Sequence, residues 1–200
     1  MKTTKLFLYS TAIGSLFLST ASAALKTGEP APDFTLACAS GETVALADFQ
    51  GQLVVLEWLN HGCPFVVRHY KDGNMQGLQG RVTGEGGVWL SIVSSAPGEQ
   101  GYSSAVEALK KKETIGSRAT HVLLDPKGEV GRAYVARTTP QIFIINEEGV
   151  LVYQGAIDDR PRGPIDGAVN YVTASLDALA SGQPIEVNTT RPYGCSVKYK

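Results

Sequence analysis

The chain has 200 residues, 43% of them hydrophobic and 18% charged, with 18 basic against 19 acidic side chains for a net charge of −1. That is enough apolar material for the core of one domain and too much for intrinsic disorder. A balanced charge with Lys110-Lys111-Lys112 as the only basic run offers nothing to nucleic acid, and the 22 glycines follow no period, which excludes collagen-like and repeat architectures.

Lys2 and Lys5 precede a mostly apolar run from Leu6 to Leu18, and Ala21-Ser22-Ala23 supplies small residues at a cleavage position. This is a secretory signal pattern over residues 1–23, too short for a comfortable membrane span. It predicts a periplasmic or otherwise exported protein with no membrane contact after cleavage, in a compartment that permits disulfides.

The remainder alternates strands and helices. Phe34 to Leu36 is a short apolar run before the turn Ala39-Ser40-Gly41, and Gln52 to Leu59 reads as a buried central strand. Val66, Val67 and Tyr70 fall at helical spacing. That helix breaks near Asp72-Gly73-Asn74 and resumes through Met75, Leu78 and Val82. Val88 to Val93 is a second buried strand. Ser103 to Lys112 is a helix with Val106 and Leu109 expected inward. Val122 to Leu124 is a short strand, and Gln141 to Ile145 and Val150 to Gln154 flank a hairpin turn at Asn146-Glu147-Glu148-Gly149. Ala168 to Ser181 is an amphipathic helix with Val169, Val172, Leu176 and Leu179 on one face, stopped by Gly182 and Pro184. The stretch from Gln183 to Lys200 has no period. The order predicts an α/β fold: a parallel core ending in an antiparallel hairpin, with helices on both faces. The domain is expected over residues 24–182, with a C-terminal tail over 183–200.

Three features carry chemistry. Cys63-Pro64 directly follows the central strand. Proline is favoured at the first helical position, so Pro64 puts Cys63 at a helix N-cap, where free N–H groups and the helix dipole favour a thiolate. Arg68 lies one turn on, and His61 and His69 flank the site; a buried structural cysteine is the competing reading. Thr138-Thr139-Pro140 opens the strand 141–145. Pro140 there suits a cis peptide that offers the Thr139 backbone to a substrate, against a plain strand-entry proline. Glu57 stands in an apolar strand six residues before Cys63. Burial raises a carboxyl pKa and suits a proton acceptor, against a satisfied or edge-facing glutamate. His121, opening a strand, reads as structural, Asp158-Asp159 as a loop or helix-entry feature, and Trp58 and Trp89 as core.

The string Glu57-Trp58-Leu59-Asn60-His61-Gly62-Cys63-Pro64-Phe65-Val66, then Arg68-His69-Tyr70 and Gly73-Asn74-Met75-Gln76, resembles the redoxin branch of the thioredoxin superfamily, the alkyl hydroperoxide reductase / thiol-specific antioxidant proteins. Gly28 to Phe34 looks like that family's N-terminal entry, and Gly41 to Phe49 followed by Gly51 like its first hairpin. Thr138-Thr139-Pro140 with Phe143-Ile144-Ile145 looks like its cis-proline strand. Tyr153-Gly155-Ile157-Asp158-Asp159 and the ending Arg191 to Lys198 look like an exported peroxiredoxin-like subgroup. The resemblance covers about residues 25–200. It implies a thioredoxin-like fold with an N-terminal hairpin extension, an antioxidant thiol oxidoreductase needing no cofactor and no metal, and an external thiol reductant; it leaves room for a homodimer.

This chain departs from the family pattern. Asn60 stands where peroxiredoxins resemble one another in a threonine, and Pro140 where they carry an arginine. Val66 stands at the fourth position of a thioredoxin Cys-x-x-Cys. The resemblance places a resolving thiol in the tail, at Cys195, which would condense with a Cys63 sulfenic acid; a structural Cys38–Cys195 bridge is the alternative. Three functions compete. The first is hydroperoxide reduction at a Cys63 thiolate, its pKa lowered by Arg68 or Arg137 and its proton moved by Glu57. The second is thiol–disulfide exchange with client proteins bound at Thr139-Pro140. The third is a non-catalytic metal or partner module using Cys63, His61 and His69.

Overall fold

The computed structural model describes residues 25–200, so the expected signal segment 1–23 lies outside the described residues. Strands β1 (Thr35–Cys38) and β2 (Thr43–Ala45) form an antiparallel hairpin, followed by a single 3₁₀ turn, Leu46–Phe49. β3 (Val54–Trp58), helices α1 (Pro64–Lys71) and α2 (Asn74–Gly84), β4 (Val88–Val93), α3 (Ala105–Thr114) and β5 (His121–Leu124) come next. The chain continues with α4 (Glu129–Ala133), β6 (Thr138–Thr139), β7 (Gln141–Ile145), β8 (Leu151–Gly155), α5 (Tyr171–Ala180) and β9 (Cys195–Ser196). Seven strands form one mixed sheet in the order β2-β1-β5-β4-β3-β7-β8; β6 and β9 pair separately.

β3, β4 and β5 run parallel, and β7 turns back antiparallel to β3. Every residue of β3, β4 and β7 is buried, which is why these segments read as near-continuous apolar runs rather than alternations. Leu56, Trp58, Leu90, Ile92 and Phe143 build one core with Val130 and Tyr134, against α4 and the 3₁₀ turn. Val55, Trp89, Ile142 and Ile144 point the other way, into a second core with Val66, Met75, Leu78, Val172 and Leu176 from α1, α2 and α5. The break between α1 and α2 falls at Gly73, whose φ of 74° is a left-handed conformation that glycine adopts without strain.

Two expected inward faces differ. In α3 only Ala108 is buried; Val106 is 78% exposed and Leu109 40%. This helix meets Ala39, Val93 and Val122 through its small Ala105 and Ala108, which lets it lie close and turns Val106 and Leu109 to solvent. α5 starts at Tyr171, because the Asn170 side chain accepts from the Thr173 amide (3.0 Å) and caps it; Val169 is left outside the helix and 55% exposed.

The aperiodic tail is held across the sheet. The Thr190 amide donates to the Gln154 carbonyl (3.0 Å), Ala96 to that of Lys198 (2.8 Å) and Val197 to that of Arg137 (3.0 Å), and the Tyr199 hydroxyl donates to the Ala136 carbonyl (2.6 Å). At Gly155 a side chain would overlap Thr190, so the absence of a Cβ there is what lets the tail cross β8.

Candidate functional site

β3 delivers the chain to Asn60, which shapes the next turn. Its Oδ1 accepts from the Gly62 amide (2.9 Å), its carbonyl from the Cys63 amide (3.0 Å), and its Nδ2 donates to Gln100 (3.1 Å). Cys63 follows in extended backbone as the N-cap of α1, with Pro64 at the first helical position. As a thiol it is fully buried and donates to the Thr139 carbonyl (2.9 Å). The Thr139–Pro140 bond is cis. β6 and β9 pair Thr139 with Cys195, and the Thr139 hydroxyl donates to the Cys195 carbonyl (3.4 Å).

The topology therefore brings Cys63 and Cys195, far apart in sequence, together at Thr139: the Cys63 thiol bonds its carbonyl, Cys195 pairs with it across β6 and β9, and Cys195 packs on the core that contains Cys63. Burial pushes the Cys63 thiol up. The Cys195 thiol, the Val66 and Cys195 amides and the Thr139 hydroxyl outweigh it and hold Cys63 below the usual thiol range. Burial pushes Cys195 up to about 11, aided by Cys63 itself. The two thiols are thus shifted in opposite directions, Cys63 towards the thiolate and Cys195 towards keeping its proton. All three cysteines are free thiols.

A buried polar network holds the tail at this point. His69 is fully buried; its Nδ1 bonds Asn74 (2.9 Å) and its Nε2 the Tyr193 hydroxyl (2.9 Å). The Tyr193 hydroxyl also donates to Asp158, which is 1% exposed, and the Arg68 guanidinium pairs with the other Asp158 oxygen (3.3 Å). The Phe65 ring lies 5.8 Å from that of Tyr193. Tyr193 is two residues before Cys195, so α1 holds both Cys63 at its N-cap and the segment carrying Cys195. Burial, together with Arg68 and against Asp158, pushes His69 down to about 4, so the ring is neutral at pH 7.

These placements correct several expectations. Arg68 bonds Asp158 and the Arg160 carbonyl rather than the Cys63 sulfur, and Arg137 is exposed. Asp158 is the centre of a buried network and not merely a loop residue. Tyr193 belongs to the family-like ending Arg191 to Lys198, but a tyrosine in an aperiodic tail gives no local signal of the aspartate it meets. Asn60 builds the turn and does not bond the Cys63 sulfur. His61 stands at the start of the site with both ring nitrogens buried and without a hydrogen-bond partner; burial, then Lys111, pushes it down to about 4.

Glu57 is fully buried and satisfied. It accepts from the Tyr70 hydroxyl (2.9 and 3.0 Å), Trp89 Nε1 (2.9 Å), Ser91 Oγ (3.1 Å) and Gln79 Nε2 (3.3 Å), and none of its bonds goes to Cys63. Burial raises its carboxyl above the usual range, with these four donors opposing. Cys38 lies in the opposite core, bonded to Ser40 (2.9 Å) and close to His121 (3.6 Å), so this arrangement holds no Cys38–Cys195 bridge.

Comparison with known proteins agrees with this geometry. The AhpC/TSA family model matches residues 27–154. A curated protein of Coxiella burnetii (strain RSA 493 / Nine Mile phase I), named "Putative peroxiredoxin bcp", is 28% identical over 158 residues, covering 76% of this chain and 99% of that one. The crystal structure of an uncharacterized conserved protein from Geobacillus kaustophilus superposes with a TM-score of 0.77 at 28% identity, over 88% of this chain and 93% of that one. A structure described as a "putative Thiol:disulfide interchange protein DsbE" from Chlorobium tepidum gives a TM-score of 0.54 at 25% identity, over 66% and 85%. A helix-capping cysteine facing a cis-proline strand, on a thioredoxin-like sheet matched by that model over more than half its length, makes this chain a member of the AhpC/TSA family and a thiol-dependent oxidoreductase.

Proposed function

We propose that this protein reduces hydroperoxides with Cys63 as nucleophile and Cys195 of the same chain as resolving thiol. The observation that carries the reading is the convergence of Cys63 and Cys195 on Thr139, with the two thiols shifted in opposite directions. The Cys63 thiolate attacks the terminal peroxide oxygen, the O–O bond breaks, and the alcohol leaves with a proton, giving Cys63 sulfenic acid. Cys195 sulfur then attacks the Cys63 sulfur; the sulfenic oxygen departs with the Cys195 proton as water, and a disulfide remains. An external dithiol returns both cysteines to thiols. Asn60 and Pro64 fix the Cys63 turn, Thr139 and Pro140 form the wall against which a substrate docks, and Arg68 acts by holding the tail. The four donors that satisfy Glu57 support a structural role for it rather than proton transfer. The sequence pattern of residues 1–23 supports an exported location.

A second reading, exchange with protein disulfides, is favoured by one observation. The Thr139 carbonyl before cis-Pro140 faces Cys63, and among the described residues no guanidinium hydrogen-bonds the sulfur to polarise a peroxide. Stoichiometric hydrogen peroxide added to the reduced protein separates the two. Fast formation of a Cys63–Cys195 disulfide, lost in Cys63→Ser and replaced by trapped sulfenic acid in Cys195→Ser, is expected. Oxidation no faster than that of an ordinary thiolate overturns the peroxidase reading and leaves disulfide exchange, which a Cys195→Ser variant then reports as mixed disulfides with clients.

A further inference from the structure

The third cysteine sits in a cluster of its own. Cys38 ends β1 with 4% of its surface exposed, Glu42 stands just before β2, and His121 opens β5. The sheet order that puts β1 between β2 and β5 brings these three together. Cys38 Sγ lies 3.6 Å from His121 Nδ1, and that nitrogen lies 3.2 Å from Glu42 Oε1. The three ligand atoms all fall within 4.8 Å of one another.

Those spacings are the edges of a small polyhedron. An ion bound tetrahedrally at roughly 2.3 Å from sulfur and roughly 2.0–2.2 Å from nitrogen and oxygen sets S···N at roughly 3.6 Å and N···O at roughly 3.4 Å. A thiolate, an imidazole and a carboxylate form a mixed donor set that suits Zn²⁺, whereas magnesium and calcium prefer all-oxygen shells. Glu42 is exposed and His121 partly so, which leaves an entry path from solvent, while Cys38 anchors the site in the sheet. The Phe49 ring, 6.1 Å from the imidazole, packs beside it. Ser40 Oγ, 2.9 Å from the sulfur and 2.8 Å from Glu42 Oε1, stands ready to bond a ligand atom or fill a fourth position.

We propose that Cys38, Glu42 and His121 form a Zn²⁺ site separate from the Cys63–Cys195 pair. On binding, the Cys38 S–H bond breaks, its proton goes to solvent and a Zn–S bond forms; nothing is oxidised or reduced. The ion ties the β1–β2 turn to β5 and keeps the one cysteine without a redox partner out of disulfide chemistry.

The test uses the full chain carrying Cys63→Ser and Cys195→Ser, so that the redox pair cannot contribute, with Zn²⁺ alone as titrant. One equivalent per chain is expected, with a proton released and with a thiolate-to-metal charge-transfer band when Co²⁺ is used instead. Adding Cys38→Ser should abolish that band, and His121→Ala should weaken Zn²⁺ binding by at least about 100-fold, since even outer-shell partners of a metal are worth ~10–100-fold. Because Cys38 is buried and its replacement could disturb folding, Glu42→Gln at an exposed position supplies a second reading and should weaken binding about tenfold or more. Substoichiometric binding, or stoichiometric binding that Glu42→Gln and His121→Ala leave unchanged, overturns the site.

Discussion

Cys63 and Cys195 are neighbours in space, yet the molecule holds them by different means. Cys63 belongs to the core: it ends a turn fixed by Asn60, caps α1, and is packed among Val66, Ile142 and Tyr153. Cys195 belongs to a tail with almost no regular structure, resting half-buried on that core and positioned by a two-residue strand and by the Tyr193, Asp158, His69 and Arg68 side chains. Apolar packing is non-directional and hard to undo locally, whereas a polar clamp depends on a few groups keeping their protons and partners. The comparison teaches that Cys63 is built in and Cys195 is docked, so the two can be separated experimentally.

The largest break should come at Gly194. Its φ is 134°, and a side chain there would overlap the Thr139 carbonyl, so Gly194→Val should unseat β9 from β6. Formation of the Cys63–Cys195 disulfide should slow by about 100-fold, roughly 2.7 kcal/mol, while alkylation of Cys63 becomes faster because its cover is gone. Rapid-quench mass spectrometry reads both rates. A slow disulfide without faster alkylation would mean that the tail still covers Cys63.

Tyr193→Phe is a milder cut. It keeps the ring against Phe65 and removes the hydroxyl shared by His69 and Asp158. Losing a buried bond to a charged group costs about 1.5–3 kcal/mol, and disulfide formation should slow by roughly tenfold or more with the alkylation behaviour of Gly194→Val in weaker form.

The same clamp should respond to pH. His69 and His61 are both pushed down to about 4 by burial, against an ordinary value of 6.5. Between those values the unfolded chain binds more protons than the folded one, so their contribution to stability is complete above about pH 6.5 and declines as pH falls towards 4, by up to about 1.4 kcal/mol per pH unit for each histidine. Urea unfolding from pH 7 to 4 should show this loss, and His69→Gln should flatten its share; a midpoint independent of pH over that window would show that neither ring is buried as described.

Glu57→Gln should have the smallest effect on the chemistry. Replacing an oxygen acceptor with an amide turns a donor towards Trp89, Ser91 or Tyr70, which costs about 1–3 kcal/mol of stability. The apparent pKa of Cys63, followed by alkylation against pH, should barely move, because no Glu57 bond reaches that sulfur. A large shift would return Glu57 to the catalytic machinery.

The built-in half of the site was legible in the sequence because its determinants are local. A strand that runs into Cys63-Pro64 sets a helix cap by itself, and the buried glutamate and the proline before a strand announce themselves within a few residues. The docked half was legible only in part. Cys195 could be named from the family resemblance, but Asp158 and Tyr193 carry no periodic pattern, and their partnership exists only once the tail crosses the sheet. Val106 and Leu109 failed for a related reason. Helical spacing marks a face as apolar, but α3 meets the sheet through its alanines, and only the neighbouring strands decide that.

The docked tail has a topological consequence. A bond between Cys63 and Cys195 would tie about 130 residues into a ring, one that takes in α1 to α5 and leaves the chain before Cys63, with β1, β2 and β3, and the last five residues outside. Closing a ring of that size removes so much freedom from the unfolded chain that the model estimate is about 5 kcal/mol. The redox state of two sulfurs would then be written into the stability of the whole fold. Each turnover would pass the protein between an open polymer and a knotless loop, and resistance to unfolding would become a readout of how recently the protein had met an oxidant.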